Sequence, residues 1–507
     1  MTIAAPCLTG DATRVKAELM ATFERMLDWL LAVPLDRSVR DLERDTWTGL
    51  FTVGALVFAA VLSVRCRDHT LADIHARQVP RDQWRFRMDG DYLIRLSTTF
   101  GRIEFPSFAW RDLRGPSEVT RTPAIAHIAP LRPKCRSSAL LLEWTCRAGA
   151  DAPFRRAADM LRFFSHGAID IEDTTISAHL VRVGTLVDRA WQYRTRANII
   201  AILRDRATRD RGGAPILYAS TDACSLRRFV DKTTSAAWKN ANGLRFWCTD
   251  KVTGETIHLG GEYTWLDCAA VAEVLVDLDR LGLVPRDGKY DDLVVQITVV
   301  TDGQPWIHER MVGWFTRPIA ILDPYHLIER LGNDAKELFG EGTKAARRWM
   351  ARAVMIVLGN VKRSDPTPKL RAGRPHCRRK PKALPPGACP SRDAPTTLLA
   401  HVLDASVKDG AAEVRTRLAN FIEDNLSRIG YRVFRWLGLA IGSGAMESLH
   451  RTAVQARIKL PGCRWLEETS DRIFAVRMMT LAGRWDDFWG QPDLTAKLVT
   501  AFRVEAA

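Results

Sequence analysis

The spacing of apolar residues changes several times along the chain. Over residues 12–33 and 36–66 they recur at helical intervals, which predicts two helices. Residues 46–64 form a run of 19 without a charge, the length of a membrane span. Three threonines, two glycines and a serine interrupt it, and a helix buried in an N-terminal bundle is the expectation instead. Residues 95–110, RLSTTFGRIEFPSFAW, read as a hairpin turning near Phe100 and Gly101. Residues 153–169, PFRRAADMLRFFSHGAI, predict a short amphipathic helix ending near Gly167. A second helix start follows at Glu172-Asp173-Thr174-Thr175, leading into ISAHLVRVGTLV. Helix, short turn, helix is the outline of a helix-turn-helix DNA-binding unit. Thr174, Thr175, Ser177 and Arg182 are its candidate DNA contacts.

Beyond residue 212 the period shortens. Residues 216–224 (ILYASTDAC), 244–252 (LRFWCTDKV) and 255–263 (ETIHLGGEY) read as three strands. A helix over 266–281, an apolar strand over 293–300, a helix over 306–315 and a strand over 319–322 follow. Three strands, helix, strand, helix, strand is the element order of a ribonuclease-H-like fold. The expected class is therefore an α/β core with a mixed sheet, a mostly α-helical insertion, and an α+β DNA-binding region at the N-terminus. The expected division is 1–150 (helices and hairpin), 151–212 (helix-turn-helix), 213–326 (first part of the core), 327–440 (helical insertion) and 441–507 (a further acidic helix and C-terminal helices).

Charge narrows the partner. The chain carries a formal charge of +15, which favours a polyanion such as nucleic acid. Residues 344–382 hold 13 Lys or Arg and one acid, Asp365, a surplus of 12. Within the Pro-rich loop 362–396, Lys362, Arg363, Arg371, Arg374, Arg378, Arg379 and Lys380 are candidate phosphate contacts, with prolines that keep the segment from forming a helix. No two of the ten cysteines are spaced C-x-x-C, so a zinc ribbon has no support. The mixed, charged start MTIAAPCLTGDATRVKAE predicts a cytoplasmic, nucleoid-associated chain with reduced thiols and no membrane partner.

Three acids occupy places where carboxylates could converge. Asp222 lies near the end of the first apolar strand, Asp302 ends the most hydrophobic strand and precedes a glycine, and Glu447 begins the helix of IGSGAMESLHRTAVQARIKLPGCRW. Singly, each is an ordinary turn or cap residue; their order along this fold is what singles them out. Gly442 and Gly444 loosen the entry to the last helix, and Ser443 is its candidate N-cap. Arg451 lies four residues after Glu447, the spacing of one helix face. Mg²⁺ prefers such oxygen ligands, and two ions can activate an attacking oxygen and stabilise a leaving one.

VVTDGQPWIHERMVGWF followed by IAILDPYHLIERL, then the G-S-G-x-x-E-S helix with its R-x-K pair before G-x-x-W, and VRMMTLAGRWDDFW, resemble bacterial insertion-sequence transposases of the DDE type. The resemblance covers about 216–490. It implies Asp222, Asp302 and Glu447 as a triad holding two Mg²⁺ (or Mn²⁺) ions, with Asp323 and His326 as the D-x-x-H and Arg451 as an accessory group. Arg457 and Lys459 would bind DNA. It further implies element ends and target DNA as partners, and a homodimer or larger assembly at synapsis. The group often carries a cysteine-rich zinc ribbon near the N-terminal hairpin, which this chain lacks. A nuclease of the same fold that only hydrolyses, and a non-catalytic DNA-binding descendant of a transposase, remain as other readings.

Overall fold

Ile216–Thr221, the start of the first apolar run of the core, is buried at every position. A strand covered on both faces requires this, since alternation would put polar groups against one layer. In a computed structural model of the chain, that strand is the centre of a mixed sheet. The structure describes residues 3–4, 12–34, 36–67, 86–112, 121–123, 137–229, 231, 233, 235–265, 270–358, 370–371, 374–375, 389–408 and 410–503. They divide into two compact units, Met1–Asp188 with Trp485–Ala507, and Arg189–Arg484.

In the first unit, α1 (Ala12–Leu31) and α2 (Val39–Arg67) take the expected places. Among the described residues α2 is the one helix long and apolar enough to cross a membrane. Its Ala55, Ala59 and Leu62 pack on Ile94, Leu96, Ile103 and Phe105 of a hairpin. That hairpin, β1 (Phe86–Thr98) and β2 (Gly101–Asp112), is longer than its apolar alternation suggests. Gly101, at φ +106°, makes the tight connection, and Thr98 Oγ1 donates to the Gly101 carbonyl at 2.8 Å. Next come α3 (Ala139–Asp151), α4 (Phe154–Phe164) and α5 (Asp173–Gly184), which pack on one another. Ser138 caps α3 by accepting from Leu141 N–H at 3.2 Å. Gly149 of α3 lets Ile176 of α5 approach: a Cβ there would lie 2.8 Å from Ile176 Cγ2.

The second unit opens with helix α6 (Arg196–Asp205). Strands β3 (Ile216–Phe229), β4 (Ala237–Thr249) and β5 (Thr256–Thr264) then form an antiparallel meander. Helix α7 (Ala270–Arg280) buries Val271, Val274, Leu275 and Leu278, one amphipathic stripe. Strands β6 (Gln296–Thr301) and β7 (Ile319–Leu322) add on in parallel. The strand order is β7-β6-β3-β4-β5. The chain is thus mixed α/β around a mixed sheet. One sheet face carries Leu217, Ala219, Phe246 and Val299 against α6 and α7. The other carries Ile216, Tyr218, Trp247, Val300 and Ile321. Packed on that second face are α8 (Pro324–Phe339), α9 (Lys344–Val357), α10 (Ala394–Leu403), α11 (Ala412–Asp424) and α12 (Tyr431–Trp436). The short α13 (Gly444–Leu449) and long α14 (Glu467–Leu481) complete the unit.

Three local expectations change. β4 begins at Ala237 rather than 244, because the polar stretch before it pairs with residues 222–228 of β3. The expected strand over 293–300 is split, with Leu293–Val294 pairing to Lys289–Tyr290 and β6 starting only at Gln296. The expected helix over 306–315 is one α turn, Pro305–Ile307, continued by a π turn, His308–Val312. The start of the expected helix over 266–281 lies outside the described residues. The described cysteines 146, 224, 248, 389 and 463 are free thiols.

Candidate active site at the mouths of three parallel strands

Strand register places the three aspartates just beyond the last paired residues of neighbouring parallel strands. β6 pairs with β3 up to Val299↔Ala219, and with β7 up to Thr301↔Leu322. Continuing both registers sets Asp302 beside Asp222 on one side and beside Asp323 on the other. Side chains alternate along a strand, so all three share the sheet face of Tyr218, Val300 and Ile321, a face whose apolar run ends in a row of carboxylates.

Each aspartate has a different environment. Asp222 is about one-third exposed, and its Oδ2 lies 3.1 Å from His450 Nε2. Its Oδ1 accepts from Ala223 N–H at 2.7 Å. Burial pushes its pKa up, but the His450 hydrogen bond and charge, the Ala223 N–H and nearby His326 outweigh that and hold it below the ordinary value. Asp302 accepts from Gln304 N–H at 3.0 Å and from Gln304 Nε2 at 2.9 Å, while Gly303 turns the backbone at φ +91°. A cavity of about 580 Å³ opens beside it, lined among others by His326, Arg330, Phe421 and Arg428.

Asp323 does something else. It is 1% exposed and N-caps α8, accepting from Tyr325 N–H at 2.6 Å and His326 N–H at 3.4 Å. Its other oxygen accepts from Ser443 N–H. Ser443 therefore enters α13 through its main chain, and its hydroxyl makes no cap hydrogen bond there. The D-x-x-H aspartate is thus an anchor that ties the Gly-Ser-Gly turn to the strand mouths.

Glu447 rides on the helix so anchored. α13 packs on β3 and β4, and Arg245 of β4 donates to the Ala445 carbonyl. Gly243, the register partner of Asp222, makes this approach possible: a Cβ there would fall 2.6 Å from both Met446 Cε and Tyr263 Cε1. At His450 the α13 turns pass into a π-helical segment, His450–Gln455. That wider turn shifts the register, so a four-residue spacing no longer fixes Glu447 and Arg451 on one face. Glu447 and Arg451 are both exposed.

Among the described residues no three His, Cys, Asp or Glu side chains converge as a ready-made metal cluster. The donor chemistry nonetheless suits Mg²⁺ or Mn²⁺, with hard carboxylate oxygens at adjacent strand mouths and the exposed Glu447 carried on a helix docked against β3 and β4.

The other expected contacts distribute unevenly. Lys459 is exposed, but Arg457 is 0% exposed, its guanidinium 4.9 Å over the Trp465 ring. This corrects the expectation of a DNA contact at Arg457, since no phosphate can reach a wholly buried group. On α5, Thr174 is exposed and Thr175, Ser177 and Arg182 are half-buried. Of the basic loop, Arg371 and Arg374 pair in two short antiparallel strands; Lys362, Arg363, Arg378, Arg379 and Lys380 lie outside the described residues.

The sequence reading missed three residues. Arg428 is buried beside the Asp302 strand end, donating to Thr301 Oγ1 at 2.7 Å and Asn425 Oδ1 at 2.8 Å. Nothing near it in sequence signals that role. His450 and Tyr263 support Asp222, and the only available sign was that His450 falls one turn after Glu447. No family model matches this chain, and no curated protein matches it.

Proposed function

We propose that the chain is a DNA transposase, binding the ends of a mobile element and performing metal-dependent cleavage and strand transfer on a ribonuclease-H-like core. One observation carries this reading: Asp222 and Asp302 each follow by three residues the last paired position, Ala219↔Val299, of two neighbouring parallel strands, and the Glu447 helix is fastened to that same edge. The strand order, an antiparallel meander of three followed by two parallel strands beside its first member, supports the fold assignment.

In this reading Asp222, Asp302 and Glu447 would hold Mg²⁺ or Mn²⁺. The ions would supply the charge that activates an attacking oxygen and stabilises the leaving one. The chain's own part is placement. Asp323 fixes where α13 begins, and Arg245 and Gly243 fix how closely it docks. Lys459 and Arg451, exposed nearby, suit a phosphodiester backbone. Lys344, Arg347 and Arg348 are exposed on α9, opposite its buried Ala346 and Trp349, and lead into the basic loop, which would hold phosphate without reading sequence. Specific recognition would fall to α4 and α5 of the first unit, with two or more chains acting at synapsis.

The test is strand transfer with labelled element-end DNA in Mg²⁺. A transposase yields joined product, a nuclease only nicks, and a non-catalytic binder a retarded but unaltered substrate. Joining that persists in EDTA would overturn the metal-dependent reading.

A further inference from the structure

We propose that His450 and Tyr263 are positioning residues that clamp Asp222, and through it hold the Glu447 helix in place. The proposal rests on the carboxylate-triad reading above. His450 Nε2 lies 3.1 Å from Asp222 Oδ2, and His450 Nδ1 lies 2.9 Å from the Tyr263 hydroxyl. An ionised carboxylate can only accept, so Nε2 must carry a proton for this contact to be a hydrogen bond. In a neutral imidazole Nδ1 is then a bare acceptor, and Tyr263 O–H is the donor that faces it. Tyr263 thereby fixes the tautomer that Asp222 requires, the arrangement by which outer groups orient metal-binding carboxylates and imidazoles.

The surroundings are built to keep the pair still. His450 is 6% exposed and Tyr263 is 5% exposed. Tyr263 stacks on Phe474 of α14, with ring centroids 5.2 Å apart, and fills the slot left by Gly243. His450 is also the residue at which the helix changes to π-helical winding, a feature frequent at functional sites. Glu447 therefore lies between two fastenings, Ser443 to Asp323 four residues before it and His450 to Asp222 three residues after it. Among the described residues each Asp222 oxygen accepts one hydrogen bond, which leaves each a further lone pair.

The full chain, labelled with ¹⁵N-histidine and free of metal, tests the clamp without any reaction. One of its 11 histidines should show protonated Nε2 and bare, hydrogen-bonded Nδ1, and His450→Gln should remove that signal. Tyr263→Phe should shift the Nδ1 resonance. Mn²⁺ binding, followed by paramagnetic resonance, should weaken about 10- to 100-fold in His450→Ala and recover in part in His450→Gln, whose amide can still donate to Asp222. If His450→Ala fails to fold, His450→Gln and Tyr263→Phe carry the same readouts. A wild-type His450 with a proton on Nδ1, alone or as the imidazolium, or Mn²⁺ binding unchanged in every variant, overturns the clamp. A chain with the clamp signals that joins no DNA would instead sink the transposase reading and leave the clamp standing.

Discussion

The two faces of the central sheet are built from the same strands and end differently. On the face against α6 and α7, Leu217, Ala219, Phe246 and Val299 remain within one apolar cluster. On the opposite face Ile216 and Tyr218 give way to Ser220 and Asp222, Trp247 to Arg245, Val300 to Asp302, and Ile321 to Asp323. Because side chains alternate at every residue, one strand can serve both purposes without compromise. The odd positions of β3 hold the sheet together, and its even positions turn polar at Ser220 and Asp222. Changes on the first face should therefore act on folding and changes on the second on activity.

The sharpest way to break this separation is at the acids. Asp302→Asn and Glu447→Gln should each abolish cleavage and joining while leaving thermal unfolding and DNA binding close to wild type. Near-normal joining by either variant in Mg²⁺ removes that residue from the triad. The opposite change is Leu275→Ala on α7, at a fully buried position on the apolar face. It should cost about 2–5 kcal/mol of unfolding free energy, with joining per folded molecule unchanged at low temperature. A selective loss of joining would show that the two faces are coupled.

Asp323→Ala falls between these, because Asp323 lies on the same edge as Asp222 and Asp302 but acts as an anchor. It should lose about 0.5–2 kcal/mol as an N-cap and also release Ser443, so both stability and joining should drop. A stable variant with full activity would show that the turn before Glu447 needs no tether. The smallest effect on joining concerns a carboxylate away from the strand mouths. Burial lifts the Asp471 pKa to about 7, only partly countered by Arg472 and Arg228, and its buried Oδ1 has no partner among the described residues. A carboxyl with a raised folded-state pKa binds more protons folded than unfolded between its ordinary value and about 7. Stability from this group is therefore full at low pH and falls as pH rises through that window. Asp471→Asn should unfold at higher denaturant than wild type at pH 8, with the gap closing toward pH 4. A gap that is independent of pH would place the effect elsewhere.

Much of the frame can be read from the chain because local chemistry specifies it. Ile216–Thr221 is apolar at enough positions to demand a central strand, the Thr301-Asp302-Gly303 step ends one, and G-S-G-x-x-E marks a loosened helix entry. Those features depend on neighbours a few residues apart. The partners of the acids do not. His450 lies 228 residues from Asp222, and Ser443 lies 120 from Asp323. No local pattern could have distinguished Asp323, a buried anchor, from Asp302, a half-buried strand end, since both are single acids closing an apolar strand. Arg457 was equally illegible: beside Lys459 it looks like a surface cation, and only the fold puts Trp465 over it. The sequence by itself thus determined the order of the strands and where β6 and β7 stop, through periodicity and turn chemistry. The tertiary structure alone decided which of those stops share a register line, which acid is used to hold a helix, and which cation is sealed from solvent, because these follow from packing between segments far apart in the chain.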